Sequence, residues 1–443
     1  MWKFWLLTLA SSSFAQDALS LRDAVHLGMR ENKSILAAAA GDGAAEARVM
    51  QARSGNLPKV NYSETFARSD NPVFVFSSLL TQHQFGADNF VIPKLNQPGF
   101  LNNFQSLLTV DQPIYDGGQT RNALRSAEIG QKLSAEDRRR SELEVISGIA
   151  RAYYGVLLAG ESLKTAEQSV RSAQADLRRA ESVRQAGMST DADVLSIRVH
   201  LASVVEQRIA RAADLDVAKA ALNDALGLPL DTAHRLTTTL TPLDLPDLEL
   251  ADLERDATDR RPEARQTALA NGLARVLADA AKSALLPTVG FHGAFEADRQ
   301  QFVNRGGTNW LAAISVRWNL FNGNADKAKI AETGHGVERA QADAERTNSA
   351  VRLQVRRAYA DLRAAQQRIE VARASVAEAE ESLRITQNRY EVGMANVTDL
   401  LRNETAALAS RTRYLAAVHD QRVAATMLEF AAGRLTAESE VLN

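Results

Sequence analysis

The sequence predicts long coiled-coil α-helices joined to a small set of membrane-crossing β-strands, the whole built from one unit used twice. Three observations predict it. Positions 206 apart repeat the same residues, an unbroken heptad seam runs through each half, and short segments of period-two alternation precede each seam.

The N-terminus comes first. Met1 to Gln16 carries one positive charge at Lys3, an apolar run from Phe4 to Ala10 and a small-residue exit at Ser13-Phe14-Ala15, so 1–15 reads as a secretory signal peptide. The run is too short to cross a bilayer core of about 30 Å. The 443 residues contain no cysteine, which excludes disulfides, thiolate metal sites and a lipid-modified mature terminus. Beyond the signal no stretch approaches the roughly 20 apolar residues of a transmembrane helix, so a membrane would have to be crossed by a barrel. Charged residues make up 24%, the formal net charge is -2 and there are only 10 prolines, a balance that favours long helices and argues against a nucleic-acid partner.

Arg151-Ala152-Tyr153 recurs as Arg357-Ala358-Tyr359, Gly187-Met188 as Gly393-Met394, Asp193 as Asp399, and Val110 and Gly117 as Val316 and Gly323, all at an offset of 206. Upstream the offset is 229, where Leu57-Pro58-Lys59-Val60 matches Leu286-Pro287-Thr288-Val289, so the first half holds a loop 23 residues longer, between Arg68 and Phe104. The chain divides into a first repeat at 16–227, a linker at 228–249, a second repeat at 250–433 and a tail at 434–443. Within the repeats, β-hairpins are expected at 58–115 and 287–321, and helical-hairpin tips at 185–195 and 391–401.

Val145, Ile149, Ala152, Val156, Ala159, Leu163, Ala166, Val170, Ala173, Leu177 and Ala180 alternate spacings of four and three, and Val351 through Thr386 do the same. That is a heptad seam, and its 3.5-residue period imposes left-handed supercoiling. A helix from about Asn122 to Ala186 would be on the order of 97 Å long.

Strands separate this chain from an ordinary coiled-coil rod. Trp310, Ala312, Ile314, Val316 and Trp318 share one parity, and Val289, Phe291, Gly293 and Phe295 share another apolar face. Val60, Tyr62 and Phe66, and Phe104, Leu108 and Val110, echo them in the first half. Trp310 and Trp318 are separated by roughly 26 Å along a strand, a spacing that suits aromatic girdles at two membrane interfaces, although a sandwich core could use the same residues. Four strands cannot close a transmembrane barrel, for which about eight is the minimum, so several chains must share one.

With Asp116-Gly117-Gly118, the two Gly-Met turns and both strand pairs in matching order, the mature chain resembles the TolC-like outer-membrane efflux proteins from end to end. The resemblance implies an α-helical coiled-coil barrel joined to a transmembrane β-barrel, four strands per chain and a trimeric 12-stranded barrel. It further implies an outer-membrane exit duct of a tripartite efflux or type I secretion system. The partners would be a second and third copy of the chain, outer-membrane lipid, a periplasmic adaptor (membrane fusion protein) and an inner-membrane RND or ABC transporter, with no cofactor and no catalytic chemistry.

By the same resemblance Asp193, Tyr390 and Asp399 fall at a periplasmic gate, while Gly187, Met188, Ser189, Val194, Leu195, Gly393, Met394 and Leu400 fall at adaptor-docking tips. Arg402 and Ala395 depart from the family pattern at the gate, where an aspartate and a linking arginine can occur. Physically, Gly187 and Gly393 suit helix ends, and Thr190 or Asp191, like Asn396 or Thr398, can cap the next helix; plain capped turns explain the aspartates as well. The seven histidines are scattered without metal-ligand spacing, and Gly41-Asp42-Gly43 reads as a helix irregularity. A periplasmic coiled-coil adaptor or envelope scaffold is the alternative that shares the heptads.

Overall fold

The computed structural model describes residues 18–187, 189–244, 246, 248–304 and 306–442. The expected signal at 1–15 and the docking residue Met188 lie outside the described residues. A two-residue strand β1 (Ala18–Leu19) leads into α1 (Leu21–Glu31), which starts on a capping box: the Ser20 side chain accepts from the Asp23 amide while the Asp23 side chain returns to Ser20. Asn32 breaks the helix, and α2 (Lys33–Arg53) follows. It runs through Gly41-Asp42-Gly43 without interruption, contrary to the irregularity the glycines suggest. Alanines on both sides supply helix propensity, and the Asp42 carboxylate finds Arg138 at 3.7 Å.

Then come β2 (Lys59–Ser69), α3 (Pro72–Thr81), a short α4 (Ile92–Asn96) and β3 (Leu101–Tyr115). Helix α5 (Gln119–Gln185) is followed by α6 (Asp191–Leu226), the two-residue β4 (Arg235–Leu236), α7 (Leu250–Arg260) and α8 (Pro262–Ser283). Strands β5 (Thr288–Arg299) and β6 (Gly307–Arg317) precede α9 (Ala325–Glu391) and α10 (Val397–Ala431). Helices α5 and α9 are each 67 residues long.

The chain forms two compact units, one from residues up to 42, 134–267 and 344 onward, the other from 43–133 and 268–343. Each unit takes segments from both sequence halves. In the helical unit, seam residues Ile149, Val156, Ala166, Ala173, Ala180, Val351, Val355, Leu362, Ala365 and Ile369 are buried, as expected of facing coiled-coil positions. The main core lies around Tyr153 and Tyr154, neither of which the heptad spacing picks out together with its partner. Both rings are fully buried, and each hydroxyl donates to a backbone carbonyl, Tyr153 to Leu19 at 2.8 Å and Tyr154 to Val441 at 3.1 Å. Leu435, Val441 and Leu442 are buried in this core, and Leu240, Leu243 and Leu248 of the linker pack on it. The linker is also strapped by β4, which pairs in parallel with β1. Helix α5 does contain an 18-residue window long and apolar enough to cross a membrane, which the sequence reading did not foresee. Its buried residues Ile146, Ile149 and Ala150 belong to the core instead.

The other unit is an antiparallel sheet of order β2-β3-β5-β6. Register places Tyr62, Leu108, Phe295 and Trp310 in one row across all four strands, flanked on the same face by Val60, Val110, Gly293 and Ala312. The opposite face carries Lys59, Asp111 and His292 in one row and Thr65, Gln105 and Asp298 in another. The first face is apolar over these two rows and carries the Glu64–Arg299 ion pair further along, the second face is polar in the rows named, and β2 and β6 are edges. The stretch between β2 and β3, read as a loop, is folded: Asn71 caps α3 by accepting from the Val73 and Phe74 amides at 3.0 and 3.2 Å. The run Pro72 to Phe76 needs cover, and α3 packs against β3, β5 and β6, with buried Gln82 donating to Asn103 at 2.8 Å.

Candidate functional site

Two helix-to-helix turns in the helical unit hold the residues singled out for a gate. In the first, Gly187 closes α5 at φ +76°, a left-handed conformation that a residue with a Cβ adopts at a cost, and its amide donates to the Arg184 carbonyl at 2.9 Å. Thr190 then opens α6 with a reciprocal box: its hydroxyl accepts from the Asp193 amide at 3.1 Å, and the Asp193 carboxylate accepts from the Thr190 amide at 3.1 Å and hydroxyl at 2.8 Å. The Ser189 hydroxyl adds a third bond to it at 3.1 Å. The Thr190 hydroxyl, with the Thr190 amide and Ser189, holds the Asp193 carboxyl below the usual range.

The second turn is built on different side chains. Gly393 sits at φ +75° and its amide donates to Tyr390, while the Met394 amide donates to Arg389 at 2.8 Å. Asn396, not Thr398, caps α10, its side-chain oxygen accepting from the Asp399 amide at 2.8 Å. Among the described residues nothing donates to the Asp399 carboxylate. An apolar cluster of Ala180, Val194, Ile197 and Val397, with Leu177, Tyr390 and Leu401 around it, ties the two turns together. Val194 and Leu400 are buried, whereas Leu195 and Met394 are exposed. Tyr390 is raised above its ordinary value by burial and by the charges of Asp193 and Asp176; Asp399 is not among the groups acting on it. In the sheet unit, Trp310 is 80% and Trp318 60% exposed, and Trp318 donates its ring N–H to the Leu285 carbonyl at 3.0 Å.

Sequence reasoning missed a buried polar cluster behind the turns. Asp176 of α5 is 2% exposed and Glu404 of α10 is 8% exposed. The His200 Nε2 of α6 stands 3.0 Å from Glu404 Oε2, close enough for an ion pair but outside hydrogen-bond alignment. The Ser172 hydroxyl donates to Glu404 Oε1 at 3.0 Å, and Arg179 reaches Asp176 at 3.5 Å. Burial, and then the neighbouring Glu404, push the Asp176 carboxyl up to about 7. Burial alone would raise Glu404 too, but its interactions with His200, Asp176 and Ser172 outweigh it and hold Glu404 low. One signal in the sequence could have found the cluster. At the 206 offset Asp176 faces Ser382, His200 faces Ala406 and Glu404 faces Arg198, so the repeat breaks at all three positions.

Coiled-coil hairpins with glycine-ended tips, joined by sequence to a sheet with apolar rows on one face and polar rows on the other, define a channel-type protein of the bacterial outer membrane. The outer membrane efflux protein family matches residues 26–228 and 253–434, and the chain belongs to that family. It is 32% identical over 354 residues to Protein CyaE of Bordetella pertussis, covering 77% of this chain and 73% of that one. Alkaline protease secretion protein AprF of Pseudomonas aeruginosa is 24% identical over 98% of this chain and 88% of its own length. In fold it is similar to the Campylobacter jejuni CmeC outer membrane channel, with a TM-score of 0.81 at 17% identity over 95% of this chain and 87% of that one. It is also similar to VceC of Vibrio cholerae, with a TM-score of 0.77 at 16% identity over 93% and 96% of the two chains. The protein is an outer-membrane exit duct of the efflux class.

Proposed function

We propose that three copies of the chain close one barrel of twelve strands and continue it as a helical tunnel that receives cargo from a periplasmic adaptor and an inner-membrane RND or ABC transporter. The observation that carries this is the four-stranded sheet with two open edges and apolar rows on one face. Unpaired edges in lipid leave backbone groups unsatisfied at several kcal/mol each, and pairing β6 of one copy with β2 of the next removes both. Exposed Trp310 and Trp318 then meet the two membrane interfaces, and the Lys59, Asp111 and His292 face lines the lumen.

At the tips, exposed Leu195 and Met394 meet the adaptor, while Val194 and Leu400 support them from inside and Gly187, Ser189 and Gly393 set the turn. Asp399, with its carboxylate unengaged, supplies the gate's fixed charge; Asp193 and Tyr390 hold the first tip in place behind it. The duct passes small molecules or polypeptides according to the pump it serves, and the similarity to a protein named for alkaline protease secretion favours polypeptides. Site-specific photocrosslinking in cells from positions 195 and 394 tests the docking. Capture of a periplasmic adaptor is the expected result, and no capture from either site in a folded outer-membrane protein would remove the tips as docking points.

A further inference from the structure

Resting on the reading of the tips as the duct's entrance, we infer that Asp176 and Glu404 form a proton-operated latch between the two helical hairpins, closed when they share one proton and released when that proton leaves. The two carboxyls come from different hairpins, Asp176 from α5 and Glu404 from α10, and Ser172, one helical turn before Asp176, reaches Glu404 at 3.0 Å, which sets the two buried carboxyls on facing sides of the hairpin contact. Both side chains are more than nine-tenths buried, and Asp176 Oδ2 has no hydrogen-bond partner. Ser172 and His200 also reach Glu404 from the first hairpin, so every polar contact to Glu404 crosses from one hairpin to the other.

The charges around the pair explain why a single proton matters. On α5, Arg179 divides its guanidinium between Asp176 at 3.5 Å and Glu391 of α9 at 3.0 Å. On α6, among the described residues, His200 is the group that ion-pairs with the cluster. From α9, Tyr390 and Glu391 face the cluster, and Glu380 holds the Nε of Arg411 of α10 at 2.6 Å; among the described residues Arg411 makes no ion pair with Glu404. One divided arginine and one histidine stand against two buried carboxyls. When Asp176 is protonated, its O–H donates to the Glu404 carboxylate. When the O–H bond breaks, the proton passes to the Glu404 carboxylate and from there to water in a cavity of about 50 Å³ lined by Ser172, His200 and Glu404. Two like charges then face each other in a low-dielectric layer, and the hairpins separate. Because Asp176 titrates near 7, the latch is closed on the acid side of that value and opens as pH rises through it.

The test uses the full-length protein purified as its native assembly. The chain has no cysteine, so spin labels placed at Leu195→Cys and Val392→Cys, both exposed positions on the two tips, in assemblies diluted with unlabelled chain so that each carries one labelled copy, report the distance between hairpins. The expected result is a short distance at pH about 5.5 and a longer population that grows by at most about tenfold per pH unit toward pH about 8.5, the limit for one proton. Asp176→Asn, which keeps the side chain's size and cannot ionise, is expected to hold the short distance at both pH values. Glu404→Gln, which removes the charge that repels ionised Asp176, gives the same loss of pH dependence and serves if the first variant does not fold. A wild-type distance that ignores pH, or a wild-type pH response surviving in either variant, overturns the latch. Bilayer conductance of the same samples separates the two readings: a conducting channel with a pH-independent distance sinks the latch alone, and absence of conductance sinks the duct.

Discussion

The two tips occupy matching places in the repeat and carry aspartates 206 positions apart, yet they use them differently. Asp193 is consumed by its own helix start, with three donors on its carboxylate. Asp399 contributes only its backbone to the second helix start, because Asn396 supplies the capping oxygen. A carboxylate can anchor a helix N-terminus or present charge to a passing ion, and the cap residue beside it decides which. Threonine at 190 has one short hydroxyl and recruits Asp193 to complete the box, whereas asparagine at 396 reaches the amide without help.

The largest expected effect breaks what the tips share. Ile197→Ala removes a fully buried side chain from the cluster joining the turns and should cost about 2–5 kcal/mol of local stability. Hydrogen exchange should report loss of protection at both tips; loss confined to the first would mean the cluster does not couple them. Next, Thr190→Ala and Asn396→Ala should each cost about 1 kcal/mol at their own helix start. Only the first takes a donor from an aspartate, leaving Asp193 held by the residue-190 amide and the Ser189 hydroxyl, so any added cation block in a planar bilayer should come from the first alone and stay small.

A third prediction concerns acid. Asp193 is held below its unfolded value, so its contribution to the first tip is complete above about pH 4 and is lost as pH falls through the lowered folded value. Exchange protection at the start of α6 should fall in that window while α10 keeps its own. Smallest in structural effect, Asp399→Ala should leave helix content unchanged and alter conductance or cation block. An unchanged channel would remove Asp399 from the gate, and equal responses from Asp193→Ala and Asp399→Ala would erase the contrast between the tips.

Much of the fold was legible because it is periodic. Seam residues such as Ile149 and Val355 repeat every three or four positions, and strand residues such as Ile314 and Val316 alternate, so local sequence specifies which residues share a face. The tyrosine core was less legible. Tyr153 and Tyr154 are adjacent, and no single helical face selects both; they are buried because linker, tail and α1 close over them from distant sequence. The folded stretch after β2 escaped for a related reason, since α3 is short and apolar all round and its helicity depends on the sheet beneath it. In the candidate site, glycines and caps announced the turns, but whether each aspartate was free depended on a hydroxyl or amide three residues earlier. The Asp176 and Glu404 pair depended on how two hairpins pack, which no local window contains.

The bond from Tyr154 to the Val441 carbonyl spans 287 residues. An exported chain is delivered from its N-terminal side, so Tyr153 finds Leu19 already present while Tyr154 arrives long before the tail that covers it. Contacts of such separation form late and slowly, and until they do the exposed ring is a target for aggregation and proteolysis. The fold thus leaves one side of this surface half-assembled for as long as the second half of the chain takes to follow.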